Sequence, residues 1–146
     1  VKVVFAGEAD SPHYLEKLQQ RAAQLGVSAK VEWRGRVSEE EKFDLYANAL
    51  MVIFTPVDED YGYVTPEAML SSKAVLTLED AGGATEFVQH ERNGLVVPAD
   101  PRALALAISR VWNDRREAER LGAAARGRIE QIDLSWEKIL EQLLRP

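Results

Sequence analysis

Cysteine is absent from the 146-residue sequence, which excludes disulfides and thiolate-held metal centres and agrees with a reducing compartment. Histidine is scarce. His13 and His90 have no second imidazole or thiol at ligand spacing, so each reads as a surface residue rather than a metal ligand or catalyst. No apolar run approaches the roughly 20 residues that cross a bilayer. These residues also contain no signal-peptide pattern. Basic charge is the rarer sign, with 18 Lys and Arg against 24 Asp and Glu and a net charge of −6. That balance argues against a nucleic-acid partner, which needs a concentrated basic face. Glycine is missing where dinucleotide binding requires it: Gly7 is followed by Glu8-Ala9-Asp10, so there is no G-x-G-x-x-G. There is no P-loop either. A nicotinamide dehydrogenase or a sugar-nucleotide epimerase therefore has no support.

What is present reads as one globular domain with 46% hydrophobic and 29% charged residues. Short apolar runs alternate with helical periodicity. Val1 to Ala6, Val31 to Trp33, Leu50 to Phe54, Ala74 to Thr77 and Leu95 to Val97 predict strands. Ser11-Pro12 opens a helix to about Gly26 with Leu15, Leu18, Ala22 and Leu25 inward. Ser38 to Glu41 forms a capping box, ahead of a helix carrying Phe43, Leu45 and Tyr46 inward. A third helix covers Thr65 to Ser72 and a short fourth Thr85 to Val88, and Asn93-Gly94 makes a turn. Beyond Val97 the pattern is helical only, with caps at Asp100-Pro101, Asp114 and Ser135. This order predicts an α/β fold: a Rossmann-like doubly wound parallel sheet, helices on both faces and a C-terminal helical segment. Val1 enters a strand pattern without an initiator methionine, as an excised domain would.

In such a sheet, ligands sit outside the carboxyl ends of the strands. The loops there are those at Gly7, at Arg34 to Arg36, at Pro56 to Val64 and at Leu78 to Gly83. Arg34 and Arg36 flank one of them, where solvent or a phosphate could meet them. The stretch from Thr55 to Met69 carries the most chemistry. An acidic loop, Asp58-Glu59-Asp60, precedes Gly62. The expected helix then opens with Thr65 as N-cap and Pro66 in the first position, followed by Glu67. A carboxylate in a first turn complements the helix dipole, which accounts for Glu67 without a ligand. Glu59 has no such explanation. Gly62 allows close approach of the backbone to a ligand.

Several segments occur in a telling order: Phe5-Ala6-Gly7, Val31-Glu32-Trp33-Arg34-Gly35, Leu45-Tyr46-Ala47-Asn48-Ala49, Glu59 to Met69, Gly82-Gly83-Ala84-Thr85-Glu86, and Asn93-Gly94-Leu95-Val96-Val97-Pro98 with Asp100-Pro101 and Leu104. Together they resemble the C-terminal, donor-binding domain of a group 1 (family four) glycosyltransferase of the GT-B fold. The similarity covers nearly the whole chain, down to Ser135-Trp136-Glu137.

The resemblance implies a retaining hexosyltransferase-type enzyme that takes a UDP-, GDP- or ADP-linked sugar as donor and uses no cofactor. In that reading Glu59 and Glu67 are the two carboxylates of the E-x7-E motif. Glu59 stands by the transferred sugar as the catalytic candidate, and Glu67 accepts hydrogen bonds from the ribose diol. Gly62, Tyr63, Val64 and Thr65 would meet the diphosphate. Gly7, Gly35 and Arg36 would lie toward the donor, with Arg36 in the segment near the base, and Gly82 and Gly83 would form a close-packed turn at the same edge. The partner is the family's acceptor-binding N-terminal domain, which these residues do not contain, together with the basic pair that holds the diphosphate. A cytoplasmic location follows, peripheral to a membrane through that other domain. No metal is expected, although Asp58-Glu59-Asp60 also reads as the D-x-D with which GT-A enzymes hold a cation. The sequence departs from the family at Asp60 and Ser72, where glycine is usual, and at Ala74, where proline is usual.

Overall fold

Parallel strand pairing organises the chain. A computed structural model describes residues 1–132 and residue 144 and divides the chain into two compact units, Val1–Leu45 and Tyr46–Pro146. In the first unit, β1 (Val3–Ala6) pairs with β2 (Val31–Gly35), Val3 opposite Val31, and the register shifts between Phe5 and Ala6. Parallel strands need a crossover, and α1 (Pro12–Gln24) supplies it. Ser11 caps α1 by accepting the Tyr14 N–H at 3.2 Å, and Gly26 beyond its end takes a left-handed conformation. The Phe5 and Trp33 rings stack at 4.7 Å.

The predicted capping box opens α2 (Glu39–Asn48): the Ser38 N–H donates to Glu41 Oε2 at 2.8 Å and the Glu41 N–H to Ser38 Oγ at 3.2 Å. These bonds to Ser38 hold the Glu41 carboxyl below the usual carboxylate range. Two expected inward residues face solvent instead. Leu25 is the C-cap, past the last helical residue of α1, and Phe43 lies beneath the Lys42 ammonium.

The second unit contains β3 (Met51–Ile53), α3 (Val64–Leu70), β4 (Ala74–Leu78), α4 (Ala84–Phe87), β5 (Gly94–Val97), α5 (Pro101–Asn113) and α6 (Arg115–Ile132). Its sheet runs β3-β4-β5, all parallel. Central β4 is buried along its whole length, and its alternating side chains face two cores. Ala74, Leu76 and Leu78 join Leu95, Val97, Ala107, Val111, Ala118 and Leu121. Val75 joins Ala68, Met69, Phe87, Val88, Ala125 and Ile129. Helices therefore cover both faces of this sheet, as the strand-helix alternation predicts. Each large buried aliphatic contributes about 1.5–3 kcal/mol.

The apolar run from Leu50 to Phe54 has the length and composition of a fully buried strand. The strand itself covers only Met51–Ile53, and Ile53 is exposed. The turn before β5 also differs from expectation. Glu91, not Asn93, takes the left-handed position, with φ 61°. Asn93 is buried, accepts the Gln89 N–H at 2.6 Å and donates to the Phe87 carbonyl at 3.0 Å. Gly94 belongs to the strand, where a Cβ would meet the Val75 carbonyl oxygen at 2.5 Å.

The caps of α5 and α6 form as predicted. Asp100 accepts the Ala103 N–H at 2.8 Å, with Pro101 in the first turn, and Asp114 accepts the Arg116 N–H at 3.0 Å and the Glu117 N–H at 3.2 Å. The helix expected after Ser135 lies outside the described residues.

α3 ends in a Schellman motif. The Lys73 N–H donates to the Ala68 carbonyl and the Ser72 N–H to the Met69 carbonyl, both at 2.9 Å, which forces Ser72 to φ 56°. This is the position where the resembling family carries glycine. A left-handed L-residue costs roughly 1–2 kcal/mol, part of which the greater unfolded-state entropy of glycine offsets. Ser72→Gly is therefore expected to raise stability by about 0.5–1 kcal/mol, measured by urea denaturation. A loss of stability would mean that the serine side chain holds the turn.

Candidate functional site

β3 and β4 are parallel, so the loops leaving their carboxyl ends emerge on one edge of the sheet. Those loops are bonded to each other. The Asp58 N–H donates to the Asp80 carbonyl at 2.9 Å, the Gly83 N–H to the Glu59 carbonyl at 2.7 Å, and Glu59 and Gly82 form a parallel bridge. Asp58 sits at φ 51°, a conformation that Asp adopts more readily than most residues.

Gly82 and Gly83 make this contact possible. A Cβ on Gly82 would fall 2.4 Å from the Glu59 carbonyl oxygen, and one on Gly83 2.4 Å from the Asp60 carbonyl oxygen. The expected close-packed turn is thus observed, and its partner is the backbone of the acidic loop. Gly62, buried at φ 67°, admits no side chain either, because a Cβ would meet the Phe54 ring at 2.9 Å and Glu59 Cγ at 3.4 Å. The Glu59 stem lies against Gly62, and the residue as a whole is exposed.

The helix after the loop starts earlier than expected. Tyr63 stands at the cap position of α3 in a helical conformation, and Thr65 is the second helical residue rather than the N-cap. The cause is a tight turn: the Thr65 N–H donates to the Gly62 carbonyl at 2.8 Å and the Glu67 N–H to the Tyr63 carbonyl at 3.1 Å. Pro66 then falls third, still among the N–H positions that lack an intrahelical acceptor, so its missing hydrogen costs nothing. Thr65 is fully buried, and its hydroxyl has no hydrogen-bond partner among the described residues. Val64 is half-buried. Tyr63 is exposed and leans on Tyr61 at 4.7 Å, which in turn meets Phe87 edge-on at 5.4 Å. Burial pushes the Tyr61 phenol above its usual range, with smaller contributions from Tyr63 and Glu86.

Glu67 is half-buried in the first turn of α3, and the Tyr46 hydroxyl donates to its Oε2 at 2.9 Å. The sequence placed Tyr46 in a motif and on the inward side of its helix but gave its hydroxyl no role. A buried tyrosine needs a partner for its hydroxyl, and that was the available signal. The remaining residues singled out in the sequence lie in the first unit. There the Gly7 N–H donates to the Gly35 carbonyl at 2.7 Å, Gly7 and Gly35 have φ of 132° and 61°, and Arg36 is exposed. Arg34 pairs with Glu32, whose carboxyl Lys2 and then Arg34 hold below the usual range.

Among the described residues no cluster of three or more His, Cys, Asp or Glu is arranged to hold a metal, and no helix is long and apolar enough to cross a membrane.

Comparison with known proteins agrees with this geometry. The chain is 38% identical over 114 residues to the glycosyltransferase MJ1607 of Methanocaldococcus jannaschii, covering 77% of this chain and 28% of that protein. Its fold superposes on HepE of Anabaena, solved with UDP and glucose, with a TM-score of 0.85 and 28% identity, over 98% of this chain and 40% of that one. It also matches the fold of the C-terminal domain of the Francisella tularensis group 1 protein LpcC, with a TM-score of 0.76 at 16% identity, over 88% of this chain and 83% of that domain. The chain thus spans well under half the length of the longer relatives. The family model described as glycosyl transferases group 1 matches residues 1–128, and the chain belongs to that family, as a C-terminal domain of the GT-B fold.

Proposed function

We propose that this chain is the donor-binding part of a retaining glycosyltransferase that transfers a sugar from a nucleoside diphosphate. The observation that carries this reading is the placement of two carboxylates eight residues apart, Glu59 on a loop locked by Gly82 and Gly83 and Glu67 in the first turn of α3. The similarity to a protein solved with UDP and glucose supports it. Glu67 suits the ribose because a carboxylate accepts two hydroxyl donors at once, as a vicinal diol presents them. Glu59 addresses the sugar. Backbone amides at Gly62 to Val64 meet the diphosphate, whose charge grows as the glycosidic bond breaks. Arginine or lysine from the rest of the enzyme adds to that stabilisation. Binding without turnover is the expected behaviour of the isolated chain, since the acceptor half is not among these residues. Transfer by the full-length enzyme is expected to persist in excess EDTA.

The test is a pair of substitutions in the full-length enzyme, read by calorimetry and by product formation. Glu67→Ala should weaken nucleoside diphosphate binding by about 1.5–3 kcal/mol, the range for hydrogen bonds to a charged group. Glu59→Gln should lower turnover more than it lowers nucleoside diphosphate affinity. An unchanged affinity in the first variant would reduce Glu67 to a helix-dipole residue. Equal losses of binding and turnover in the second would remove Glu59 from the sugar. NMR of the product anomer tests retention.

A further inference from the structure

We infer that Tyr46 is a positioning residue for the ribose-binding carboxylate, an inference that rests on the role given to Glu67 above. Tyr46 is 7% exposed, its ring is packed with Ala68, Met69 and Val75, and its hydroxyl donates to Glu67 Oε2 at 2.9 Å. The ring therefore cannot swing away without opening the core, and the hydroxyl is presented to the carboxylate at a fixed point.

The chain end that carries it is fixed too. Lys73 Nζ donates to the Ala47 carbonyl at 2.9 Å, tying the last turn of α2 to the turn that ends α3. Tyr46 and Glu67 thus sit on two helices joined at a second point.

This geometry has a chemical consequence. A glutamate side chain has three rotatable bonds, and a vicinal diol is recognised only when both carboxylate oxygens face it in one plane. A carboxylate offers about four lone-pair directions. The Tyr46 hydroxyl occupies one of them on Oε2 and so restricts how the carboxylate can turn. Restricting the carboxylate before the nucleotide arrives lowers the ordering cost of binding. The effect belongs to the ribose and not to the sugar or the acceptor.

The test compares wild type, Tyr46→Phe, Glu67→Ala and the double variant in the full-length enzyme, using a ribonucleoside diphosphate and its 2′-deoxy analogue as probes. Tyr46→Phe keeps the ring and removes one oxygen, so the fold should survive with a melting temperature lowered by only about 2–4 °C. Affinity for the ribonucleotide should fall roughly five- to tenfold, the scale of one ordinary hydrogen bond, because the effect reaches the ribose only through Glu67. Affinity for the 2′-deoxy analogue should fall less, so that preference for ribose shrinks. The donor KM should rise while kcat at saturating donor stays within about twofold, as for lost uniform binding. In the Glu67→Ala background, Tyr46→Phe should cost no further affinity. If Glu67→Ala binds both probes as wild type does, the ribose role and this inference fail together. If Glu67→Ala loses ribose preference and Tyr46→Phe keeps it in full, or the two losses simply add, the ribose role stands and Tyr46 is only a core residue.

Discussion

Gly122→Ala is expected to destabilise the protein by roughly 2–4 kcal/mol, the upper range for forcing extra volume into a packed interior. Gly122 is buried on α6, and a Cβ there would fall 2.1 Å from the Ser72 carbonyl oxygen and 3.4 Å from the Ala74 nitrogen. These are backbone atoms of the turn that launches β4, so no side-chain rotation relieves the clash. Either α6 withdraws, opening the cores around Leu121 and Ala125, or the turn moves and shifts the register of the central strand. Gly127, on the same helix, is the internal control, because a Cβ there meets nothing within 4 Å. Gly127→Ala should raise stability by about 0.5–1 kcal/mol, the ordinary gain from replacing glycine in a helix. Urea denaturation of both variants measures the contrast. Equal effects of the two substitutions would show that α6 does not pack on the Ser72 turn.

Much of this was readable from residue types alone, and Gly122 shows where that reading stops. The strand positions, the Ser38–Glu41 capping box and the proline-assisted starts at Ser11 and Asp100 depend on local chemistry that a few residues carry. Which strand lies in the middle of the β3-β4-β5 sheet depends on pairing at a distance, because Leu50 to Phe54 and Ala74 to Thr77 look equally apolar. The start of α3 was misplaced for a related reason. Thr65-Pro66 is a strong cap signal, but the Gly62 carbonyl captures the Thr65 N–H and starts the turn earlier. The two glutamates stood out as chemistry, and the family resemblance supplied their roles. The Tyr46 contact to Glu67 spans 21 residues and required the fold.

The glycine pair after β4 was legible only as a tight turn, and its contact with the acidic loop yields the other large effect. Gly82→Ala is expected to lower turnover of the full-length enzyme by about a hundredfold or more, the scale of a displacement of about 1 Å at a reacting group. Two penalties coincide at this residue. Its φ of 65° is unfavourable for any L side chain, at roughly 1–2 kcal/mol, and its Cβ would stand 2.4 Å from the Glu59 carbonyl oxygen and 2.7 Å from the Glu59 nitrogen. The loop must then retreat, and with it goes the Gly83-to-Glu59 hydrogen bond. Glu59 keeps its identity and loses its position, so the loss should appear in turnover at saturating donor. Gly26→Ala separates the two penalties, because Gly26 has φ 67° and nothing within 4 Å of its would-be Cβ. That variant should lose only about 1 kcal/mol of stability and keep its turnover. Gly83→Ala, free of the backbone penalty but clashing with the Asp60 carbonyl oxygen at 2.4 Å, should resemble Gly82→Ala in activity. Wild-type turnover in either glycine variant, with the fold intact by circular dichroism, would mean that the position of Glu59 does not govern the reaction.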